Sequence, residues 1–394
     1  MTIALDPELV EGALALYHDL HAHPELSMQE HRTVGLVESH LADLGYQTRR
    51  VGGTGVAAWL SHGDGPTVAF RADMDALPVP EATGLPYAST ADGVMHACGH
   101  DIHVSCALGI ARYLADHRAE WTGTVVLVLQ PGEETSAGAQ AMVDDGLWDV
   151  APRPEAVFGQ HVSIARVGTV DVTPGPVLAM ADSWRVTVRG RGGHGSRPEK
   201  AIDPVLLAAH MIVRMQTVVT REVSATEVSV LTVATIQAGT KENVIPDRCE
   251  FTINMRHHDA EVRERVLVAL RRTLRAEAEA SGAPEPDIEE MYRFPLTVND
   301  PAQAAAVREV LAAEFGADAV SSGPTRMGSE DVSRLATAIG VPLTFWYLGS
   351  LPDEVVDGSG PIPSLHTGSY APVPEQTLAS GIRAGLAVLL DRLG

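Results

Sequence analysis

The alternation of apolar and polar positions changes along the chain and divides it into two kinds of segment. In the first part, apolar residues at helical spacing predict helices over residues 7–19 and 29–44. Short apolar runs, typical of buried strands, then alternate with further helical patterns. The predicted strands cover residues 56–60, 67–70, 124–129 and 156–159, and the predicted helices among them cover 104–115 and 137–145. This alternation indicates an α/β domain around a mostly parallel central sheet.

The order of the elements changes after the turn-rich residues 173–176. Strands are predicted at 183–189, 228–237, 248–255 and 288–293, with helices at 203–219 and 260–280. Strand, helix, strand, strand, helix, strand is the order of a ferredoxin-like α+β unit. Apolar patterns at 301–315, 341–348 and 375–390 then return to α/β character. We therefore predict a larger α/β domain, residues 1–181 and 294–394, with residues 182–293 inserted into it as a separate domain.

Composition narrows the possible classes of protein. The chain has 394 residues, 45% of them hydrophobic and 20% charged, as in folded soluble proteins. A formal net charge of −22 argues against nucleic acid as a partner. No apolar run approaches the roughly 20 residues of a membrane span, and residues 1–10 do not resemble a secretion signal. Three cysteines do not make a disulfide framework. We expect a cytoplasmic protein without a membrane partner.

Two adjacent carboxylates follow the predicted strand 124–129. Glu133 and Glu134 belong to the segment Gln-Pro-Gly-Glu-Glu at 130–134. Because neighbouring side chains diverge there, one carboxylate can bind a cation while the other holds a water molecule beside it. A metal hydrolase needs this combination of ligand and general base. A glutamate pair at a helix start can also simply complement the helix dipole, so the pair alone does not decide.

Further candidate ligands stand at or after the ends of predicted strands. The donors of interest are Cys98, His100, His161 and His366, with Asp73, Asp75 and Asp101 close to them in sequence. Thiolate and imidazole groups favour zinc and similar metal ions. We expect Asp75 and Asp101 to orient the ligating histidines by accepting the second ring proton. A thiol enzyme that uses Cys98 or Cys106 is an alternative, although the distant metal donors favour ligation.

The inserted domain carries two polar loops of its own. His194 stands in a glycine-rich turn at 190–198, and Asn243 stands in the loop at 239–246. Glycines would let the backbone and His194 approach a ligand closely. Asn243 is a candidate for hydrogen bonding to a substrate carboxylate. Both loops are also compatible with plain exposed turns.

Together these motifs resemble those of the zinc-dependent aminoacylase and carboxypeptidase superfamily. The resemblance is to its branch of hippurate hydrolases, N-acyl-amino-acid amidohydrolases and auxin-conjugate hydrolases, and it covers nearly the whole chain. The matching segments are HAHPELS (21–27), RADMDALP (71–78), HACGHD (96–101), QPGEE (130–134), GGHGSRP (192–198), NVIP (243–246), GSED (328–331) and LH (365–366).

The resemblance implies a ligand set and a dimer. The ligands would be Cys98, His100, Glu134, His161 and His366, holding two divalent metal ions per subunit with Cys98 between them. Zinc is expected first, with manganese, cobalt or nickel as alternatives. Glu133 would be the general base. Arg71 stands where the wider superfamily has a ligating histidine, so that ligand is missing. The inserted domain would form a homodimer and place His194 in the partner's active site.

The expected reaction is hydrolysis of the amide bond of an N-acyl amino acid, a small-molecule substrate. Glu133 would move the proton, His194 would stabilise the oxyanion, and Asn243 with Arg256 would hold the substrate carboxylate. A dipeptidase, a carboxypeptidase or an N-carbamoyl-amino-acid hydrolase could use the same site. A binding or regulatory protein that keeps the fold without catalysis is a further alternative. The sequence leaves the acyl group, the amino acid and its chirality open.

Overall fold

The computed structural model describes residues 2–394, which form two compact units. The first unit runs to Val177 and continues through Val298–Pro324 and Asp331–Gly394. The second unit comprises Leu178–Thr297 and the short segment Thr325–Glu330. The limits predicted from the sequence, 182 and 293, both lie within the second unit. The segment 325–330 carries no pattern from which its place could be predicted.

The helices and strands are numbered along the chain. The helices are α1 Pro7–Ala22, α2 His31–Asp43, α3 His100–Asp116, α4 Gly138–Asp144, α5 Leu147–Val150, α6 Pro204–Arg221, α7 Ala260–Ala280, α8 Pro301–Phe315, α9 Ser333–Thr337, α10 Asp353–Val356 and α11 Pro374–Leu393. The strands are β1 Gln47–Val51, β2 Gly55–His62, β3 Thr67–Asp73, β4 Gly123–Gln130, β5 Ala156–Arg166, β6 Val170–Asp171, β7 Gly175–Leu178, β8 Met180–Arg189, β9 Gly193–His194, β10 Ser229–Ala238, β11 Val244–Ile245, β12 Arg248–His257, β13 Asp287–Phe294, β14 Thr297–Asn299, β15 Val320–Ser321 and β16 Leu343–Leu351.

The first unit is built on an eight-stranded sheet in the order β1-β2-β4-β3-β5-β16-β6-β15. Its central strands β4, β3, β5 and β16 pair in parallel, whereas β1, β2 and β4 pair antiparallel at one side. The central strands are buried almost throughout, as expected of parallel strands covered on both faces. The predicted α/β domain with a mostly parallel sheet is confirmed.

The second unit has a four-stranded antiparallel sheet in the order β10-β12-β8-β13. With α6 and α7 this is the predicted ferredoxin-like arrangement. The apolar faces of the sheet and both helices form one core, which includes the buried side chains of Trp184, Leu207, Phe251 and Leu270.

Local capping explains the helix ends that the sequence predicts well. The side chain of Asp300 accepts a hydrogen bond from Gln303 N, and Pro301 follows as the first helical residue of α8. Asp259 caps α7 in the same way, and both helices have the predicted bounds. Capping of this kind depends only on neighbouring residues, so it can be read from the sequence.

Two elements that carry candidate ligands are longer than predicted. Helix α3 begins at His100 rather than at residue 104, so His100 is its first residue and not part of the preceding loop. Strand β5 continues to Arg166, because it pairs with β16 along most of its length. His161 therefore lies within the strand and not beyond its end.

Among the described residues, no helix is long and apolar enough to cross a membrane.

Candidate metal centre

The side chains predicted as ligands converge on one region of the first unit. They are Cys98, His100, Glu134, His161 and His366, each from a different element or loop. Cys98 Sγ lies 3.1 Å from His366 Nε2 and 3.5 Å from His161 Nε2. Glu134 Oε1 lies 3.3 Å from His366 Nε2 and 4.0 Å from His100 Nε2. Residues far apart in the sequence thus bring five donor groups of three chemical kinds to one place.

The backbone around Cys98 explains how two neighbouring donors reach the same place. Gly99 has φ +80°, and a Cβ there would lie 2.5 Å from Val162 Cγ2, so a side chain at this position would be both strained and obstructed. His366 N donates a hydrogen bond of 2.9 Å to Ala97 O. This bond connects the loop that contains His366 to the loop that contains Cys98.

Glu133 and Glu134 begin a short 3₁₀ turn after β4. Both backbone N–H groups donate to Asp75, at 3.1 Å each, so one carboxylate holds the turn. Glu133 is buried, and its carboxylate lies within 4.8 Å of donor atoms of both His100 and Glu134. A buried carboxylate thus lies beside two of the candidate ligands.

Asp75 also orients His100. Its Oδ1 lies 3.2 Å from His100 Nδ1, which leaves Nε2 of the ring facing the other donors. Burial lowers the pKa of His100, but the negative charge of Asp73 and the hydrogen bond to Asp75 outweigh it and raise that pKa to about 10. The surroundings of Nε2 therefore favour positive charge strongly, whether it comes from a proton or from a cation.

The cluster also includes Asp73, which the sequence indicates only as a neighbour of the candidate ligands, and His103, which none of the motifs contains. Asp73, His100, His103 and His161 have donor atoms within 4.8 Å of one another. His103 Nδ1 lies 2.5 Å from Asp73 Oδ1, and His103 Nε2 accepts a hydrogen bond from Val162 N at 2.9 Å. Both ring nitrogens are thus engaged, which suits an orienting role better than ligation. His103 follows the candidate ligand His100 by one turn of helix, and this spacing is a signal that could have indicated His103.

Arg71 is fully buried next to these groups. Its guanidinium donates to Asp73 Oδ2 at 2.8 Å and to Gln130 Oε1 at 2.9 Å, and it lies 3.6 Å from Asp331 Oδ1. Burial raises the pKa of Asp73, but the charges of Arg71, His100 and His103 outweigh it and hold that pKa well below its usual range. Arg71 therefore supplies a fixed positive charge beside Asp73.

Without a cation, the surroundings of Cys98 and His161 favour the neutral form of both side chains. Burial, with the nearby charges of Glu134 and Glu133, raises the pKa of the Cys98 thiol well above its usual value. Burial likewise lowers the pKa of His161 well below its usual value. His161 Nδ1 donates to Val162 O at 2.6 Å, so Nε2 is left facing Cys98. A bound cation would favour the thiolate form of Cys98.

Two features of these donor groups fit a divalent cation: their chemistry, and the lack of hydrogen bonds at two of their atoms. Among the described side chains, His100 Nε2 and Glu134 Oε1 are buried and make no hydrogen bond. Buried polar atoms without a partner are uncommon, because they lose their hydration without compensation. One thiol, three imidazoles and a carboxylate form a mixed donor set that suits zinc and the neighbouring transition metals.

Asp101 lies in a different network from the one expected. Its Oδ2 is 2.6 Å from Nδ1 of His21, whose Nε2 is 3.3 Å from Glu81 Oε1. Burial lowers the pKa of His21, but the contacts with Asp101 and Glu81 raise it overall. The imidazole that Asp101 orients is therefore that of His21, which is not among the proposed ligands, whereas Asp75 contacts the ligand candidate His100 directly.

The remaining candidate residues lie in the second unit. His194 in β9 pairs with Val244 in β11, and Gly195 N donates to Asn243 O at 2.8 Å, so the two predicted loops lie side by side. The side chain of Arg256 in β12 is half-buried, and it donates to Asn254 Oδ1 at 2.9 Å and to Ser329 Oγ at 2.6 Å. His194 and Asn243 are exposed.

Comparison with known proteins finds a matching family and several relatives. A model of peptidase family M20/M25/M40 matches residues 69–389. N-acetylcysteine deacetylase of Bacillus subtilis is 40% identical over 269 residues, which are 67% of this chain and 70% of that protein. Hippurate hydrolase of Campylobacter jejuni is 36% identical over 302 residues, 76% of this chain and 78% of that protein.

A solved structure has a similar fold. A Bacillus subtilis protein described as a dinuclear metal-binding peptidase of the M20 family superposes with a TM-score of 0.76. It is 31% identical, and the alignment covers 98% of this chain and 100% of that chain.

Proposed function

The chain belongs to peptidase family M20/M25/M40, and on this premise we propose that it hydrolyses N-acyl amino acids to a carboxylic acid and a free amino acid. It is an amide hydrolase by its family, and two of its relatives are named a deacetylase and a hippurate hydrolase. One observation carries the proposal: five donor groups converge beside the buried carboxylate of Glu133. The finer statements below are part of the same proposal.

We propose that each subunit holds two divalent cations. The residues that would hold them are Cys98, His100, Glu134, His161 and His366. When bound, such cations supply Lewis acidity and lower the pKa of a coordinated water. Zinc suits the thiolate and the imidazoles best, and manganese, cobalt and nickel are alternatives. Because the guanidinium of Arg71 cannot ligate, the second cation depends on His100 and Cys98.

Glu133 moves the proton in this proposal. Its carboxylate accepts a proton from the attacking water, and the oxygen of that water forms a bond to the amide carbonyl carbon. The carbon–nitrogen bond then breaks, and Glu133 returns the proton to the leaving nitrogen. Asp75 holds the backbone N–H groups of Glu133 and Glu134, so both carboxylates keep a fixed origin during these steps.

The proposal also gives roles to residues of the second unit. His194 donates a hydrogen bond to the carbonyl oxygen as negative charge develops on it. We propose that this His194 comes from the partner in a homodimer formed through the second unit. Asn243, beside His194, and Arg256 hold the substrate carboxylate by charge-assisted hydrogen bonds. A cytoplasmic location stays a prediction from the sequence.

A substrate panel tests the reaction directly. Free-amine release is measured for N-acetyl, N-benzoyl and longer N-acyl amino acids, dipeptides and N-carbamoyl amino acids, with Zn²⁺ or Mn²⁺ and with a chelator. We expect chelator-sensitive release from the acyl amino acids, restored by adding the cation back. Preference for dipeptides or carbamoyl compounds would replace the proposed substrate class. Silence across the panel, with cation shown to be bound, would contradict the proposal.

A further inference from the structure

The turn between α1 and α2 contacts the catalytic loop, although the proposed mechanism does not use it. We call residues 25–30 the α1–α2 turn and residues 132–134 the glutamate turn. Ser27, Met28 and Glu30 of the α1–α2 turn each face the glutamate turn or the residue that holds it. The matching motif HAHPELS at 21–27 is therefore connected to the site by contacts and not only by sequence.

Glu30 is the centre of these contacts. It is fully buried, and its Oε1 accepts a hydrogen bond of 2.8 Å from Gly132 N and one of 2.9 Å from Met28 N. The hydroxyl of Thr54 donates to the other carboxylate oxygen. A carboxylate in such a position costs desolvation free energy, which is offset only where its hydrogen bonds are kept.

The hydrogen bond to Glu30 holds Gly132 in a backbone conformation that favours glycine. Gly132 has φ +53°, which is a left-handed conformation that few other residues adopt easily. A Cβ at this position would lie 2.6 Å from Met28 Sδ, so Met28 packs directly on the glycine. Gly132 O in turn accepts hydrogen bonds from Ala137 N and Gly138 N, at 3.2 and 3.1 Å.

Three consecutive N–H groups in the glutamate turn therefore donate to buried carboxylates. Gly132 N donates to Glu30, whereas Glu133 N and Glu134 N donate to Asp75. Ser27 Oγ donates to Asp75 Oδ2 at 2.6 Å, so the α1–α2 turn also contacts the second carboxylate. The glutamate turn is thus fixed from two sides, and one of them is Glu30.

We propose that Glu30 is a positioning residue for the catalytic loop. By holding Gly132 N, it sets the direction in which the side chains of Glu133 and Glu134 leave the backbone. The inference rests on the proposed function, in which Glu133 moves a proton and Glu134 binds a cation. Small displacements of such groups have large effects on rate, because the reacting atoms must meet in a narrow geometry.

The test compares Glu30→Ala with Glu30→Gln. Glutamine keeps an oxygen that can accept from Gly132 and Met28, and its amide can donate to the Thr54 hydroxyl. We expect Glu30→Ala to lower kcat by roughly 10- to 100-fold with little change in KM, and Glu30→Gln to stay within about threefold of the unsubstituted protein. Glu38→Gln, also in this part of the chain but paired with Arg50 near the surface, is the matched control and should change neither quantity.

Two measurements do not depend on any substrate. We expect amide hydrogen exchange at residues 132–134 to become at least about tenfold faster in Glu30→Ala, and Mn²⁺ affinity to fall by roughly 10- to 100-fold. Glutamine should restore both. If Glu30→Ala does not fold, Glu30→Asp applies the same test, because its shorter side chain keeps the charge but cannot reach Gly132 in the same geometry.

The outcomes separate this inference from the proposed function. Unchanged exchange and Mn²⁺ affinity in Glu30→Ala or Glu30→Asp would overturn the positioning role. Loss of turnover without faster exchange at 132–134 would overturn it as well. If the unsubstituted protein hydrolyses nothing in the substrate panel, the proposed function fails, but faster exchange and weaker Mn²⁺ binding would still support the role of Glu30.

Discussion

The residues proposed for function occupy two contrasting settings. In the first unit, Cys98, His100 and His161 are buried, and buried carboxylates or backbone groups fix their surroundings. In the second unit, His194 and Asn243 are exposed, and two short strands of two residues each hold their loops together. The contrast shows that the candidate metal centre lies within the buried part of the first unit, whereas the candidate residues of the second unit lie in exposed loops.

The difference follows from the cost of burial. Burying carboxylates and imidazoles requires compensating partners, and most buried groups of the candidate metal centre have hydrogen bonds that fix their position. An exposed imidazole such as His194 has water as a partner and needs no network. Its Nδ1 nevertheless accepts a hydrogen bond from Ser196 N at 3.1 Å, which orients the ring locally. A substrate or a partner subunit would supply the rest in the proposed function.

The strongest way to sharpen this comparison is Glu133→Gln in the buried region. We expect kcat to fall by about 10²- to 10⁴-fold, because glutamine cannot accept the proton from water. The bound cation content should stay the same, since Glu133 is not among the proposed ligands. Kinetics and metal analysis of one preparation check both statements. Turnover close to normal would remove Glu133 as the base.

The corresponding change in the exposed region is His194→Ala. We expect kcat to fall by about 10²- to 10³-fold through loss of an oxyanion donor, with no change in cation content. Because the side chain is exposed, the unfolding temperature should be nearly unchanged. A loss of activity that tracks a loss of thermal stability would mean that His194 acts structurally and would erase the contrast.

Mixing these two variants tests whether His194 acts across a dimer. Glu133→Gln subunits supply an intact His194, and His194→Ala subunits supply an intact Glu133. If the site combines residues of two subunits, hybrid dimers should recover part of the activity. Absence of recovery, with subunit exchange demonstrated by labelled subunits, would count against the cross-subunit role.

The smallest expected effect is the pH dependence of the metal centre. The pKa of His100 is about 10 without a cation, because Asp73 and Asp75 outweigh the opposing effect of burial. A proton therefore competes with the cation for Nε2. We expect Mn²⁺ affinity to rise with pH between roughly pH 6.5 and 8.5, by about tenfold per pH unit for each proton that binding releases from His100 or Cys98. Competition titrations measure it, and His194→Ala should show the same slope. An affinity independent of pH would contradict the prediction.

In the cation-free protein, the free energy of unfolding falls as pH rises, whereas the cation affinity increases. A pKa raised above the unfolded value of 6.5 contributes stability that is fully present below about pH 6.5. That contribution is lost as pH rises through about 10. Cation-loaded protein should lack this loss, because the cation takes the place of the proton. Thermal unfolding with and without Mn²⁺ across this range compares the two forms.

Local features made much of the fold predictable. The bounds of α7 and α8 follow from aspartate caps and from helical periodicity, and the ferredoxin-like order follows from the alternation of strands and helices. The family predicted from the motifs is confirmed by the family model. The beginning of α3 was missed, because this helix is buried around most of its circumference and shows little periodicity over its first turn.

By itself, the sequence determined the order of most of the longer elements, the family and a set of candidate donor groups, because caps, periodicities and motifs act over a few residues. Only the tertiary structure decided which groups meet. It placed His103 against Asp73 and Asp101 against His21, and it joined Glu30 to the glutamate turn. These contacts bridge long stretches of chain and depend on how strands and helices pack. For this reason, no spacing in the sequence specifies them.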